Sequence, residues 1–218
     1  MIDRKRALRR GLKMIHSAVF PAREQHIPKT ALGHEHVRNA TLLPDRTELL
    51  KLLPKKGVVA ELGVDEGNFS QAILQHNQPR ELHLVDVWDS DRYNTGKRRH
   101  VEQRFAKEIA NGSVVINIGL STEVAGKFPD AHFDWIYIDT DHSYRTTKAE
   151  LELYAPKVKP KGIIAGHDHI VGNWDGAVRY GVIEAVHEFC VKHQWEILHI
   201  TTELDTFPSF AIRRMISA

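Results

Sequence analysis

From Val58 onward, short apolar runs alternate with stretches of helical periodicity, and this alternation limits the fold more than any other feature of the chain. The runs Val58–Leu62, Leu82–Asp86, Val114–Ile118, Trp135–Asp139, Gly162–Gly166, Glu196–Thr201 and Ser209–Arg213 read as strands. Several are apolar at successive rather than alternate positions, which belongs to strands covered on both faces. Between them, Asn68–His76, Lys97–Ala110, Arg145–Leu153 and Val178–His193 carry helical patterns. Strands separated by helices pair in parallel beneath two helical layers. The last two runs are joined only by residues 203–208, too short a link for a right-handed crossover, so they should pair antiparallel. The expected fold class is α/β, a three-layer doubly wound sheet.

The first fifty residues have another texture. Pro21, Pro28, Gly33 and Pro44 divide them into short pieces, and Thr47–Pro54 reads as one helix. Leu8, Leu12, Ile15 and Val19 recur at helical spacing among Arg and Lys, as in a docking helix with a solvated basic face or one lying on an anionic surface. This gives a helical extension over residues 1–45 and one domain over residues 46–218. A chain of 218 residues buries a core without staples. Its single cysteine, Cys190, lies in an apolar helical pattern and reads as a core thiol. A net charge of +2 gives no general case for nucleic acid. No run approaches the ~20 apolar residues of a membrane span, and the basic start lacks a signal peptide's apolar stretch. A cytoplasmic protein is expected, with homo-oligomerisation left open.

The first strand leads into Glu61-Leu62-Gly63-Val64-Asp65-Glu66-Gly67, and a helix follows from Asn68. Glycines there let the backbone turn sharply and approach a ligand closely. A dinucleotide fingerprint has the spacing G-x-G-x-x-G. This turn is E-x-G-x-x-x-G with three acids, which suits a cationic sulfonium with an ammonium group better than a pyrophosphate. Asp86, about 20 residues on at the tip of the second strand, stands where ribose hydroxyls are held.

VVAELGVDEGNFSQAIL followed by ELHLVDVWD resembles the first two motifs of class I S-adenosylmethionine-dependent methyltransferases. FDWIYIDTDHSYRTTKAELELYAPKVKPKGIIAGHDH resembles the subgroup called methyltransferase domain 24, which includes macrocin-type O-methyltransferases acting on antibiotic sugars. The resemblance covers about residues 44 to 215. It implies a seven-stranded Rossmann-like sheet in the order 3-2-1-4-5-7-6 with strand seven antiparallel. It places Glu61, Gly63 and Gly67 around the methionine part of the cofactor and Asp86 on its ribose. Residues 119–121, ending at Ser121, resemble the segment near the adenine.

In that order Asp139, Asp141, His142, His167, Asp168 and His169 converge beyond two neighbouring strand ends, next to the cofactor. So many titratable groups are costly unless they meet water, a metal or substrate. Two readings stay open. In one, Asp139, His167 and Asp168 hold a divalent cation. Metal-dependent relatives carry an acid where this chain has His167, and imidazole suits Mn²⁺ better than Mg²⁺. In the other, His142 or Asp141 acts as general base without a metal, His142 being the better placed by its ordinary pKa. Asp139 also borders the cofactor. Trp88 is expected to line the cofactor, with Arg92 and Tyr93 reaching toward substrate. Residues 172–176, with Trp174 at their centre, read as a lid. The expected function is O-methylation of a small-molecule hydroxyl, on a sugar or secondary metabolite. The alternatives are a silent methyltransferase-like binding module and a nicotinamide-dependent oxidoreductase.

Overall fold

The computed structural model describes residues 27–173, 178–204 and 206–215. The amphipathic pattern through Leu8 and Val19 and residues 174–176 of the expected lid lie outside the described residues. An eight-stranded sheet forms the centre of the molecule. Its strands are β1 (Thr41–Leu43), β2 (Val58–Leu62), β3 (Glu81–Asp86), β4 (Val114–Ile118), β5 (Phe133–Ile138), β6 (Val158–Gly166), β9 (Trp195–Thr201) and β10 (Phe210–Arg214). A separate two-stranded ribbon pairs β7 (Gly172–Asn173) with β8 (Val178–Arg179). Across the large sheet the order is β4-β3-β2-β5-β6-β10-β9-β1, with β10 antiparallel to both neighbours and the other pairs parallel.

The seven expected strands thus stand in the order 3-2-1-4-5-7-6, extended by one. The additional strand, β1, falls inside the segment read as a helical extension. It pairs with β9, and His36 Nδ1 lies 2.8 Å from the Trp195 carbonyl oxygen. Without β1, the outer side of β9 would be an unpaired edge. Three residues are too few for periodicity to reveal a strand.

Every residue of β2 is buried, and its side chains alternate between two cores. Ala60 and Leu62 pack with Leu151, Tyr154 and Val186 of α6 (Tyr144–Tyr154) and α7 (Val182–His193). Val59 packs with Leu49, Ile73 and Val101 of α1 (Arg46–Leu52), α2 (Asn68–Asn77) and α3 (Thr95–Arg104). Asp45 caps α1 by accepting the Glu48 N–H at 2.9 Å, and Ser143 caps α6 by accepting the Thr146 N–H at 3.2 Å. Cys190 is fully buried, and burial pushes its thiol up to about 12.

Two expected helices are shorter than their patterns. The run Lys97–Ala110 breaks at Phe105 into α3 and α4 (Ala106–Ala110). Phe105 is buried beneath Gly67, where an added Cβ would come within 2.8 Å of its ring. At the other position, residues 178–179 belong to the ribbon and the helix begins only at Val182. Gly181 donates its N–H to the His142 carbonyl at 2.9 Å, which ties the start of α7 to the site.

Candidate active site

Successive strands are laid outward from β2 on one side and from β5 on the other, so the carboxyl ends of these two parallel strands flank a crevice. Gly63, just after β2, has φ +88 and donates to the Val85 carbonyl. A Cβ there would sit 1.8 Å from the Asp139 carbonyl oxygen, so only glycine lets the two strand ends approach this closely. Gly67, at φ +75, starts α2. The turn between them is held by Asp86. One carboxylate oxygen accepts the Val64 and Asp65 N–H groups at 2.8 and 3.1 Å, and the other accepts the Trp88 N–H at 3.1 Å. Asp86 therefore shapes the turn in addition to any ribose contact.

Trp88 corrects an expectation. It is 1% exposed, packed in the α1–α3 core, and its indole N–H donates to the Asp65 carbonyl at 3.0 Å. It braces the turn and has no free ring face for a cofactor. Ser121, the first residue of α5 (Ser121–Val124), is also nearly buried, and its hydroxyl donates to Glu150, an acid pushed up to about 7 by burial.

Glu61 is buried with the Ser70 hydroxyl as donor, and burial holds its carboxyl well above the usual range. An acid whose folded pKa is raised favours folding below its unfolded pKa and loses that contribution as pH rises toward the folded value. Ionised Glu61 is thus a cost at neutral pH that a bound cation would relieve. Glu61→Gln should raise the stability of the ligand-free protein at pH 7 by about 0.5–2 kcal/mol and weaken binding of a cationic ligand. Urea denaturation at pH 5 and 8, with calorimetric titration, checks both. A variant less stable than wild type at pH 8 rules this account out.

Four side chains converge beyond β5 and β6. Asp168 is 3% exposed, and its Oδ2 accepts from His142 Nδ1 at 2.8 Å and from His167 Nδ1 at 3.2 Å. Burial opposes its charge, but the two imidazoles outweigh burial and hold the carboxyl well below the usual range. Asp139 lies 3.8 Å from His167 Nδ1, and burial raises its pKa, with Asp168 adding repulsion. Burial pulls His142 down, but its hydrogen bond to Asp168 and the nearby acids raise it overall. The hydrogen bond takes up Nδ1 and leaves Nε2 as the acceptor of the neutral ring.

Asp141 and His169 do not join this group. Asp141 is exposed and accepts from the Ser143 N–H and the Thr146 hydroxyl, both at 2.9 Å, which braces the start of α6. His169 is buried beside His187 and Phe210, and burial lowers it to about 3. The expected metal set also changes. The group offering one ligand atom each, all within 4.8 Å of one another, is Asp139, His142 and Asp168. His167 instead backs Asp168.

Of the eight non-glycine residues with positive φ among those described, Asp65, Trp88, His142 and Asp168 lie at this site. Such conformations cost about 1–3 kcal/mol each and persist where surrounding bonds enforce them. Two further residues border the site that sequence patterning did not single out. Tyr180 packs against His142 with ring centroids 4.9 Å apart. Arg46 stands over Phe69 at 4.8 Å, on the side of the glycine turn. No apolar or glycine pattern marks either one.

With this geometry described, comparison with known proteins is informative. A family model for a methyltransferase domain, number 24 of that series, matches residues 60–169. An uncharacterised protein of Sinorhizobium fredii is 24% identical over 149 residues, covering 62% of this chain but 16% of that protein. The pyocyanin biosynthetic protein PhzM superposes with a TM-score of 0.60 at 14% identity, covering 78% of this chain and 54% of its own. An O-methyltransferase from neocarzinostatin biosynthesis, solved with S-adenosylmethionine and a hydroxynaphthoic acid, superposes with a TM-score of 0.55 at 12% identity. The match covers 73% of this chain and 49% of that one. At these identities the two structures show a shared fold.

Proposed function

Since the chain belongs to this methyltransferase-domain family, we propose that it is an S-adenosylmethionine-dependent O-methyltransferase whose acceptor is a small-molecule hydroxyl, on a sugar or secondary metabolite. The observation that carries this reading is the His142–Asp168 hydrogen bond of 2.8 Å beside an acid-lined glycine turn. A neutral amine attacks through its free lone pair, whereas a hydroxyl oxygen is a weak nucleophile until its proton is withdrawn, so its methylation gains from a positioned base.

The turn fits the cofactor on its own chemistry. Gly63 leaves space where any Cβ would meet Asp139, and Glu61 and Asp139 offer carboxyls whose charge burial opposes and a bound ammonium group would stabilise. When bound, S-adenosylmethionine supplies a methyl group already activated by its positive sulfur. His142 Nε2 takes the acceptor's proton as the new bond forms. Asp168 keeps Nδ1 protonated and stabilises the resulting imidazolium. Gly63 and Gly67 let the backbone close on the ligand, and Tyr180 packs one side of the base.

The convergence of Asp139, His142 and Asp168 favours a second reading, in which these three hold a divalent ion. Such an ion would supply Lewis-acid polarisation of the acceptor oxygen. A set containing imidazole suits Mn²⁺ at least as well as Mg²⁺. No helix among the described residues is long and apolar enough to cross a membrane.

Calorimetric titration tests the cofactor first. S-adenosylhomocysteine should bind and NAD should not; the reverse result rejects the methyltransferase reading. A panel of hydroxylated metabolites with labelled cofactor then identifies the acceptor, and binding without any transfer favours the silent module. On the metal reading, activity falls with chelator and returns with Mn²⁺. Full activity in excess chelator, with no metal by elemental analysis, retires that reading and leaves the imidazole as base.

A further inference from the structure

The guanidinium of Arg46 sits 4.8 Å above the Phe69 ring, and Phe69 in turn packs on Tyr137 with ring centroids 4.2 Å apart. Its charge acts on the Tyr137 hydroxyl and on Glu61 and Asp139 at the two strand ends. Arg46 nevertheless forms no ion pair with a carboxylate among the described residues. Glu61 is satisfied by Ser70 instead. Of the other cations beside the turn, Lys97 is committed to Asp65 and to Glu66, the latter at 3.4 Å, and Arg104 donates to the Glu66 carbonyl at 3.2 Å and to Asn68 at 2.7 Å. The glycine-turn end of the crevice therefore holds two acids and, over the Phe69 ring, a cation with donors to spare.

That combination of charges matches the two ends of a free α-amino acid. We propose that Arg46 holds the α-carboxylate of the cofactor's methionine end, with Glu61 and Asp139 facing its ammonium. The inference rests on the methyltransferase reading and adds to it a residue outside the matched family segment. Arginine presents planar paired donors to a carboxylate, and the Phe69 ring beneath the guanidinium restricts the fork before ligand arrives. Arg46 consequently makes the site selective for a ligand that still carries its carboxylate.

The test compares two ligands by calorimetry. One is S-adenosylhomocysteine; the other is its decarboxylated analogue, with the same adenosine, sulfur and amine. Wild type should prefer the carboxylated ligand by on the order of 10- to 100-fold, the usual worth of a charged hydrogen bond. Arg46→Gln should lose that preference while binding the decarboxylated analogue nearly as wild type does. Arg46→Lys should keep part of it. Melting temperatures of the variants establish that they are folded. A folded Arg46→Gln protein that retains the full preference overturns the proposal, as does one that weakens both ligands equally. Should Arg46→Gln fail to fold, wild type and Arg46→Lys decide, and a wild type without preference overturns the proposal. A wild type that binds neither ligand rejects the methyltransferase reading itself, which separates the two failures.

Discussion

His142→Ala should lower turnover by about 10²–10⁴-fold, the range for a lost acid–base residue, while leaving S-adenosylhomocysteine affinity close to wild type. The split follows from position. His142 is anchored through Nδ1 to Asp168, whereas the glycine turn is held by Asp86 and Trp88. The wild-type rate should rise with pH as the imidazole loses its proton, with a midpoint above the ordinary histidine value because Asp168 holds the charged form. Asp168→Asn removes that charge, so the rising limb should move to lower pH even as the rate falls. Both profiles should be recorded with and without chelator, using a hydroxyl acceptor from the panel. A His142→Ala protein with wild-type turnover under both conditions removes His142 from the chemistry. A limb that stays in place in Asp168→Asn breaks the link between the two residues.

Gly63→Ala should destabilise the protein by about 3 kcal/mol or more and abolish measurable cofactor binding. Two costs add at this position. The backbone is at φ +88, and the new methyl would overlap the Asp139 carbonyl oxygen. Relief requires the ends of β2 and β5 to part, although Asp139 donates its N–H to the Leu62 carbonyl at 2.7 Å. Gly112 supplies the control, since it has φ +79 but no atom within 4 Å of its added Cβ. Gly112→Ala should therefore cost only the backbone penalty, roughly 1–2 kcal/mol. Urea denaturation of the two variants reads the steric part as a difference. Equal losses would show that the close approach at Gly63 carries no energy of its own.

The parallel strands and the terminal hairpin were legible because burial leaves a local record. Val58–Leu62 and Val114–Ile118 form with the bounds their apolar runs suggested. The acids at strand ends were legible for a related reason: Asp86, Asp139 and Asp168 each interrupt an apolar run where the sheet stops. The helices that ended early were not, because Phe105 and Gly181 answer to contacts distant in sequence, with Gly67 and His142.

By itself, then, the sequence determined the layered α/β fold, the sheet order through its family resemblance, and the strand ends around which the candidate site is built. Only the tertiary structure decided which neighbour in each cluster faces inward. Asp141 and His142 are adjacent, yet one braces α6 and the other meets Asp168. His167 and His169 flank Asp168, yet one joins the cluster and the other lies among Phe210 and His187. Trp88 turned into the core, and Arg46 came from upstream to stand over Phe69. Periodicity reports which face of a regular element is buried. Beyond a strand end, side-chain direction is set by single backbone angles, such as the positive φ of His142 and Asp168, and by partners many residues away. Neither leaves a periodic trace in the chain.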